Sequence, residues 1–199
     1  MGLGKFGKPS IECAQRLRTG LPLNSFSAAR SATDKEVDLL VRRLARSGLM
    51  EYRLGPSRGG DDQVVIEPQM PDYWPQAAKL AASDRIVLSR FAYMRRRSSE
   101  MILESPRSAA LFRISDPKVA AVLTSLATPQ TLGKLRRHEG FPGAELIGLL
   151  LDCGMLFRIA AGTEGLRPDE GDDNLVLWDF HDLLFHTHST EGRQANPLG

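Results

Sequence analysis

Cysteine is nearly absent from this chain: two residues, Cys13 and Cys153, in 199. They lie far apart and inside helix-like patterns, so reduced thiols are expected rather than a disulfide or a metal pair. No apolar run approaches the roughly 18 to 20 residues that a membrane span needs. The opening MGLGKFGKPS also lacks the apolar core of a signal peptide. These absences point to a soluble, cytoplasmic protein with no membrane role. His181, His186 and His188 stand five and two positions apart, which does not put them on one helical face, and no metal site is expected. No nucleophile elbow or triad spacing occurs, and no catalytic residue is assigned.

What is present is a composition of 42% hydrophobic residues, enough for one sizeable core or two small ones. The net charge of +2 conceals an asymmetry. Residues 1–160 carry 24 Lys and Arg against 16 Asp and Glu, whereas residues 161–199 carry 2 against 8. A basic front attracts nucleic acid or acidic peptides, although charge at this density more commonly forms a solvated surface, and nucleic acid is disfavoured as a partner.

Two breaks organise the chain. Residues Glu67 to Pro75 hold three prolines in nine positions, which excludes a continuous helix; residues Ala161 to Asp173 are Gly-rich and acidic, as in an exposed linker. Three pieces result, 1–66, 76–160 and 174–199. The first two end alike, in LLVRRLARSGLMEYRLG and ELIGLLLDCGMLFRIA, which superpose on Gly48 and Gly154 with Leu40, Val41 and Leu44 matching Leu146, Ile147 and Leu150. Helical spacing runs into a glycine and then into a strand-like run. Both glycines are therefore expected at positive φ, closing a helix before a turn. That order is how the third helix of a winged-helix module leads to its wing, which in the first copy returns through QVVIEP.

The second piece reads as a hairpin from Arg85 to Arg97 through Ser98-Ser99 into MILESP, then a third strand over Ala110 to Ile114. Asp116-Pro117 caps a first helix, Thr128-Pro129 starts a second, and Phe141-Pro142-Gly143 precedes a third. In the last piece a helix is predicted over Leu175 to Phe185, whose apolar face needs the preceding modules, a partner chain or a further domain to pack on and, without enough chain after it, is expected to be exposed. The Arg95-Arg96-Arg97 run reads as a solvated strand end.

The stretches SRFAYMRRRSSEMILESPRSAALFRISDP, LRRHEGFPGAELIGLLLDCGMLF and LWDFHDLLFHTHSTEGRQANPLG together resemble the SagB-type dehydrogenases. These are nitroreductase-like flavoenzymes that include azoline oxidases. The resemblance begins at about Glu36 and corresponds to the N-terminal half of such a protein. It implies an α+β fold of two winged-helix-like modules, the second with three strands followed by three helices, and then the first helix of a truncated nitroreductase-like domain. The complete enzyme would use FMN and form a homodimer, and no flavin is expected on this chain alone. The run from His186 to Arg193 is similar to the family motif His-x-Arg-Ser-Arg-x-Gly-Arg, which implies Ser189 and Arg193 as cofactor-binding residues. His188 and Thr190 replace the two central arginines, and neither grips phosphate as a guanidinium fork does.

The second module also resembles the peptide-recognition elements of peptide-modifying enzymes. In those, a leader peptide adds as a strand beside the third strand and leans on the third helix. Carried over by position, the peptide-binding residues are Leu111, Phe112, Arg113 and Ile114 on the strand and Glu145, Leu146 and Leu149 on the helix. The competing reading is that this edge packs against the other module. The function implied is a leader- or substrate-peptide-binding region of an FMN-dependent oxidoreductase; the alternative is a stand-alone winged-helix protein binding nucleic acid or a protein through Arg42, Arg43 and Arg46.

Overall fold

The computed structural model describes residues 6–23, 31–55, 62–159, 174 and 176–189. The expected acidic linker, the tip of the first hairpin, Leu175, the side chains of Cys13 and His188, and Arg193 lie outside the described residues. Two compact units divide the chain, residues 1–50 with 71–74 and residues 51–70 with 75–199.

The first unit contains α1 (Lys8–Gln15) and α2 (Ala32–Arg46). Ser31 and Asp34 start α2 with a reciprocal capping box: the Ser31 hydroxyl accepts from the Asp34 N–H at 3.1 Å, and the Asp34 carboxylate accepts from the Ser31 N–H at 2.9 Å. Glu36 ties the helices together by accepting from the Gly7 N–H at 3.0 Å and the Ser10 hydroxyl at 2.5 Å, and these two bonds lower its pKa. The helix closes as its sequence predicts. Leu49 N–H donates to the Leu44 carbonyl at 2.9 Å and Gly48 N–H to Ala45 at 3.0 Å, with Gly48 at φ +64°.

The second unit begins with a hairpin of β1 (Tyr52–Leu54) and β2 (Val64–Pro68), followed by β3 (Arg85–Leu88), β4 (Tyr93–Arg97), β5 (Glu100–Glu104) and β6 (Ala110–Ile114). Then come α3 (Pro117–Ser125), β7 (Gln130–Thr131), α4 (Leu132–Leu135), α5 (Ala144–Asp152), β8 (Leu156–Ile159) and α6 (Phe180–Ser189). The fold is α+β, as the sequence indicates. Two antiparallel sheets form, with orders β1-β2-β6-β5-β4 and β7-β3-β8.

Three features depart from the sequence reading. The hairpin β1–β2, expected to complete the first module, pairs with β6 along five positions, from Val64 opposite Ile114 to Pro68 opposite Ala110. It therefore belongs to the second unit. The expected strand from Arg85 to Arg97 is broken at Ser89, whose hydroxyl accepts the Phe91 N–H at 3.1 Å while its carbonyl accepts the Ala92 N–H at 3.1 Å. This local turn sends β3 and β4 into different sheets, so the expected single strand becomes two. The second helix starts later than expected: Gln130 and Thr131 form a short strand, and the Thr131 hydroxyl caps α4 through the Lys134 N–H at 3.2 Å. The Asp116-Pro117 start of α3 holds, with the Asp116 carboxylate accepting the Lys118 N–H at 2.8 Å.

The core follows from strand alternation. Val64, Ile66, Leu103, Ala110, Phe112 and Ile114 share one face of the larger sheet and are buried. The opposite face carries Glu67, Arg95, Arg97, Glu100, Glu104 and Arg113 around buried Val65, Ile102 and Leu111.

The terminal helix also differs from expectation. It runs from Phe180 to Ser189 rather than from Leu175 to Phe185, because Asp179 starts it: its carbonyl accepts the Leu183 N–H and its carboxylate the His181 N–H, both at 3.0 Å. Nor is its apolar side orphaned. Leu183, 6% exposed, packs with Phe91 at the β3–β4 corner, with Trp178 and Phe180 against the pair. Phe180 also meets Tyr93 edge to face at 5.2 Å between centroids. Leu177 and Phe185 remain 94% and 74% exposed.

Candidate functional site

The residues expected to bind a peptide are built into the fold instead. β6 has β2 on one side and β5 on the other, so both its main-chain edges are taken. Leu111, Phe112 and Ile114 are buried; Arg113 donates to Glu67 at 2.7 Å and to Glu100 at 3.0 Å. On α5, Leu146 and Leu149 are buried in the core, while Glu145 is exposed. The position beside β6 that the resemblance gives to a peptide is taken by β2 of the same unit.

The Arg113 cluster is an ion lattice. Glu67 accepts from both Arg113 and Arg97 at 2.7 Å. Burial pushes the Glu67 pKa up, but the two guanidiniums outweigh it and the net shift is downward. Beside it Arg95 pairs with Glu104, and the Tyr93 hydroxyl is pushed up to about 12 by burial and by Glu104. These charges are matched in place, which suits a structural surface better than a site.

The second unit offers a different opening. α5 ends as α2 does: Met155 N–H donates to Leu150 at 2.9 Å and Gly154 N–H to Leu151 at 3.0 Å, with Gly154 at φ +67°. The chain then enters β8, an outer strand of the smaller sheet. Ser89 N–H donates to the Met155 carbonyl at 2.9 Å, so Met155 faces β3. Strand alternation then directs the main-chain groups of Leu156 and Arg158 away from β3. No strand among the described residues pairs with that side.

Beside this edge lies a cleft of about 330 Å³ walled by Ala78, Arg107, Leu151, Asp152, Phe157 and Arg158. One wall is an extended strip. Ala78 N–H donates to the Gly148 carbonyl at 3.1 Å, and the Arg158 guanidinium donates to the Lys79 carbonyl while its Nε lies 3.5 Å from Asp84. Gly148 makes room for the strip: a Cβ there would stand 2.6 Å from the Ala78 oxygen. The volume suits one or two side chains of a peptide, and an outward strand edge beside it supplies main-chain pairing. The sequence reading missed these residues. A glycine inside the apolar run AELIGLLLD was the available signal of a close backbone approach.

Of the two residues implied for flavin, Ser189 is described and Arg193 lies outside the described residues. Ser189 ends α6 and spends its hydroxyl on the Phe185 carbonyl at 2.7 Å; the His186 ring lies against Trp178 at 5.2 Å. His188 and Thr190 stand where the family motif has its two central arginines. Of the arginines of α2, Arg42 pairs with Asp38 at 3.0 Å and lies over Trp74, Arg46 pairs with Asp72 at 3.0 Å, and Arg43 lies over Phe6.

Comparison with known proteins fits this setting. Residues 86–195 match the family model of the cyanobactin oxidase ThcOx. The match covers more than half of the chain, and the protein belongs to that family. No curated protein matches it. No helix among the described residues is long and apolar enough to cross a membrane.

Proposed function

We propose that this chain is the peptide-binding region of a SagB-type, FMN-dependent azoline oxidase, holding the precursor peptide for a nitroreductase-like flavin domain in a dimeric enzyme. In this reading the two helix–glycine–strand segments are winged-helix-like modules. The peptide lies along the outer edge of β8 and places a side chain in the cleft beside Phe157. No step of the oxidation is assigned to the residues described here. The observation that carries the proposal is the outward main chain of Leu156 and Arg158 beside a cleft of side-chain size, in a family of cyanobactin oxidases. Family membership supports the peptide as the partner, and the open strand edge supports the mode.

The test is fluorescence anisotropy with a labelled cyanobactin precursor peptide. Binding is expected to weaken at least about tenfold in Phe157→Asp, which places a charge in the cleft, with the melting temperature held as a control for folding. Binding that survives Phe157→Asp unchanged, or no binding to the unaltered chain, would reject the proposal.

A further inference from the structure

β4 is the last strand in the order of the larger sheet, and no strand among the described residues pairs with its outer side. The two-residue turn Ser98-Ser99 joins Arg97 to Glu100, so that closing pair is hydrogen-bonded. By alternation Tyr93, Arg95 and Arg97 bond to β5, and the main-chain groups of Met94 and Arg96 point outward.

The three arginines are not equivalent. Arg95 pairs with Glu104 and Arg97 with Glu67, both on the lattice face. Arg96 lies on the other face with Met94, is exposed, and has no ion pair among the described residues. β4 contains no proline and shows no bulge in its register with β5, two of the devices that protect an edge. A second copy pairing antiparallel across this edge would bring its own arginine run against this one, at a cost in like-charge repulsion.

We propose that the outer edge of β4 docks an extended peptide segment that bears a carboxylate opposite Arg96 and an apolar side chain two positions away, opposite Met94. Main-chain pairing to Met94 and Arg96 supplies affinity, and the Arg96 guanidinium selects the acidic partner. This edge is separate from the β8 cleft, so its occupancy does not depend on the proposed function.

The experiment uses the whole chain and two fluorescein-labelled peptides, one repeating Glu-Thr-Val-Thr so that glutamate and valine stand two positions apart on one face, the other with lysine in place of each glutamate. The glutamate peptide is expected to bind, more weakly as salt rises, and the lysine peptide not to bind. Arg96→Glu should weaken binding at least about tenfold. Met94→Pro should abolish it while the chain stays folded, because a proline on an outer strand whose N–H faces solvent removes a donor that the fold does not use. If Met94→Pro does not fold, Arg96→Glu decides alone. Phe157→Asp should leave binding unchanged. The proposal is overturned if neither peptide binds, if both bind equally, if binding persists in Arg96→Glu or a folded Met94→Pro, if Phe157→Asp abolishes it, or if light scattering shows that β4 pairs with a second copy.

Discussion

Positions 42 and 148 stand six residues ahead of the junction glycines Gly48 and Gly154, yet one is an exposed arginine and the other a glycine under a crossing chain. The two junctions share their closing hydrogen bonds and their backbone: Leu49 to Leu44 and Met155 to Leu150, with φ +64° and +67°. What differs is what packs on the helix. α2 leaves Arg42 to lie over Trp74, whereas α5 takes the strip at Ala78 against Gly148 and forms a wall of the cleft. Repetition of a local motif thus does not repeat its role.

The sharpest way to break this comparison is Gly148→Val. Its Cβ would lie 2.6 Å from a backbone oxygen that cannot swing aside, and a loss of about 3 kcal/mol in denaturant-derived stability is expected. Arg42→Val, at the equivalent place, should cost about 1 kcal/mol or less. Equal losses would show that the strip does not rest on Gly148.

Leu183→Ala comes next, at about 2 kcal/mol, because Leu183 is buried against Phe91. An unchanged denaturation midpoint would return α6 to the exposed appendage that the sequence suggests. Gly48→Val and Gly154→Val should each cost about 1 to 2 kcal/mol, and by similar amounts, since at neither site does a Cβ meet an atom within 4 Å and only backbone strain remains. A much larger loss at one glycine would mean that the junctions are not alike.

The smallest effect concerns acid. Glu67 is held below its ordinary value of 4.5 in the folded chain by Arg97 and Arg113, against the opposing pull of burial. Its contribution is therefore fully present above pH 4.5 and lost as pH falls through the lower folded value. Glu67→Gln should flatten that acid-side loss. An identical pH dependence of stability in the variant would remove Glu67 from the lattice.

Legibility in the sequence followed the range of the forces involved. Gly48, Gly154 and the Asp116-Pro117 cap depend on hydrogen bonds within a few residues, and they were readable. The partition of strands was not. β2 reaches β6 across 41 to 49 residues of chain, and the side-chain alternation of VVIEP is equally compatible with a free wing. The β6 edge was thus a reasonable slot by position that a long-range pairing filled. The Ser89 turn was hidden because serine within an apolar run also fits a continuous strand. At α6, the apolar run from Leu175 to Phe185 read as a helix, whereas the Asp179 cap and the contact with Phe91 required the folded corner.

Amide-resolved hydrogen exchange with and without a cyanobactin precursor peptide tests the central claim most directly, because it compares the open and the filled strand edge in one sample. The account predicts slowed exchange at the outward amides of Leu156 and Arg158, with Leu111 to Ile114 on β6 unchanged. Peptide binding that leaves Leu156 and Arg158 as they were, or that protects new sites on β6, would contradict it.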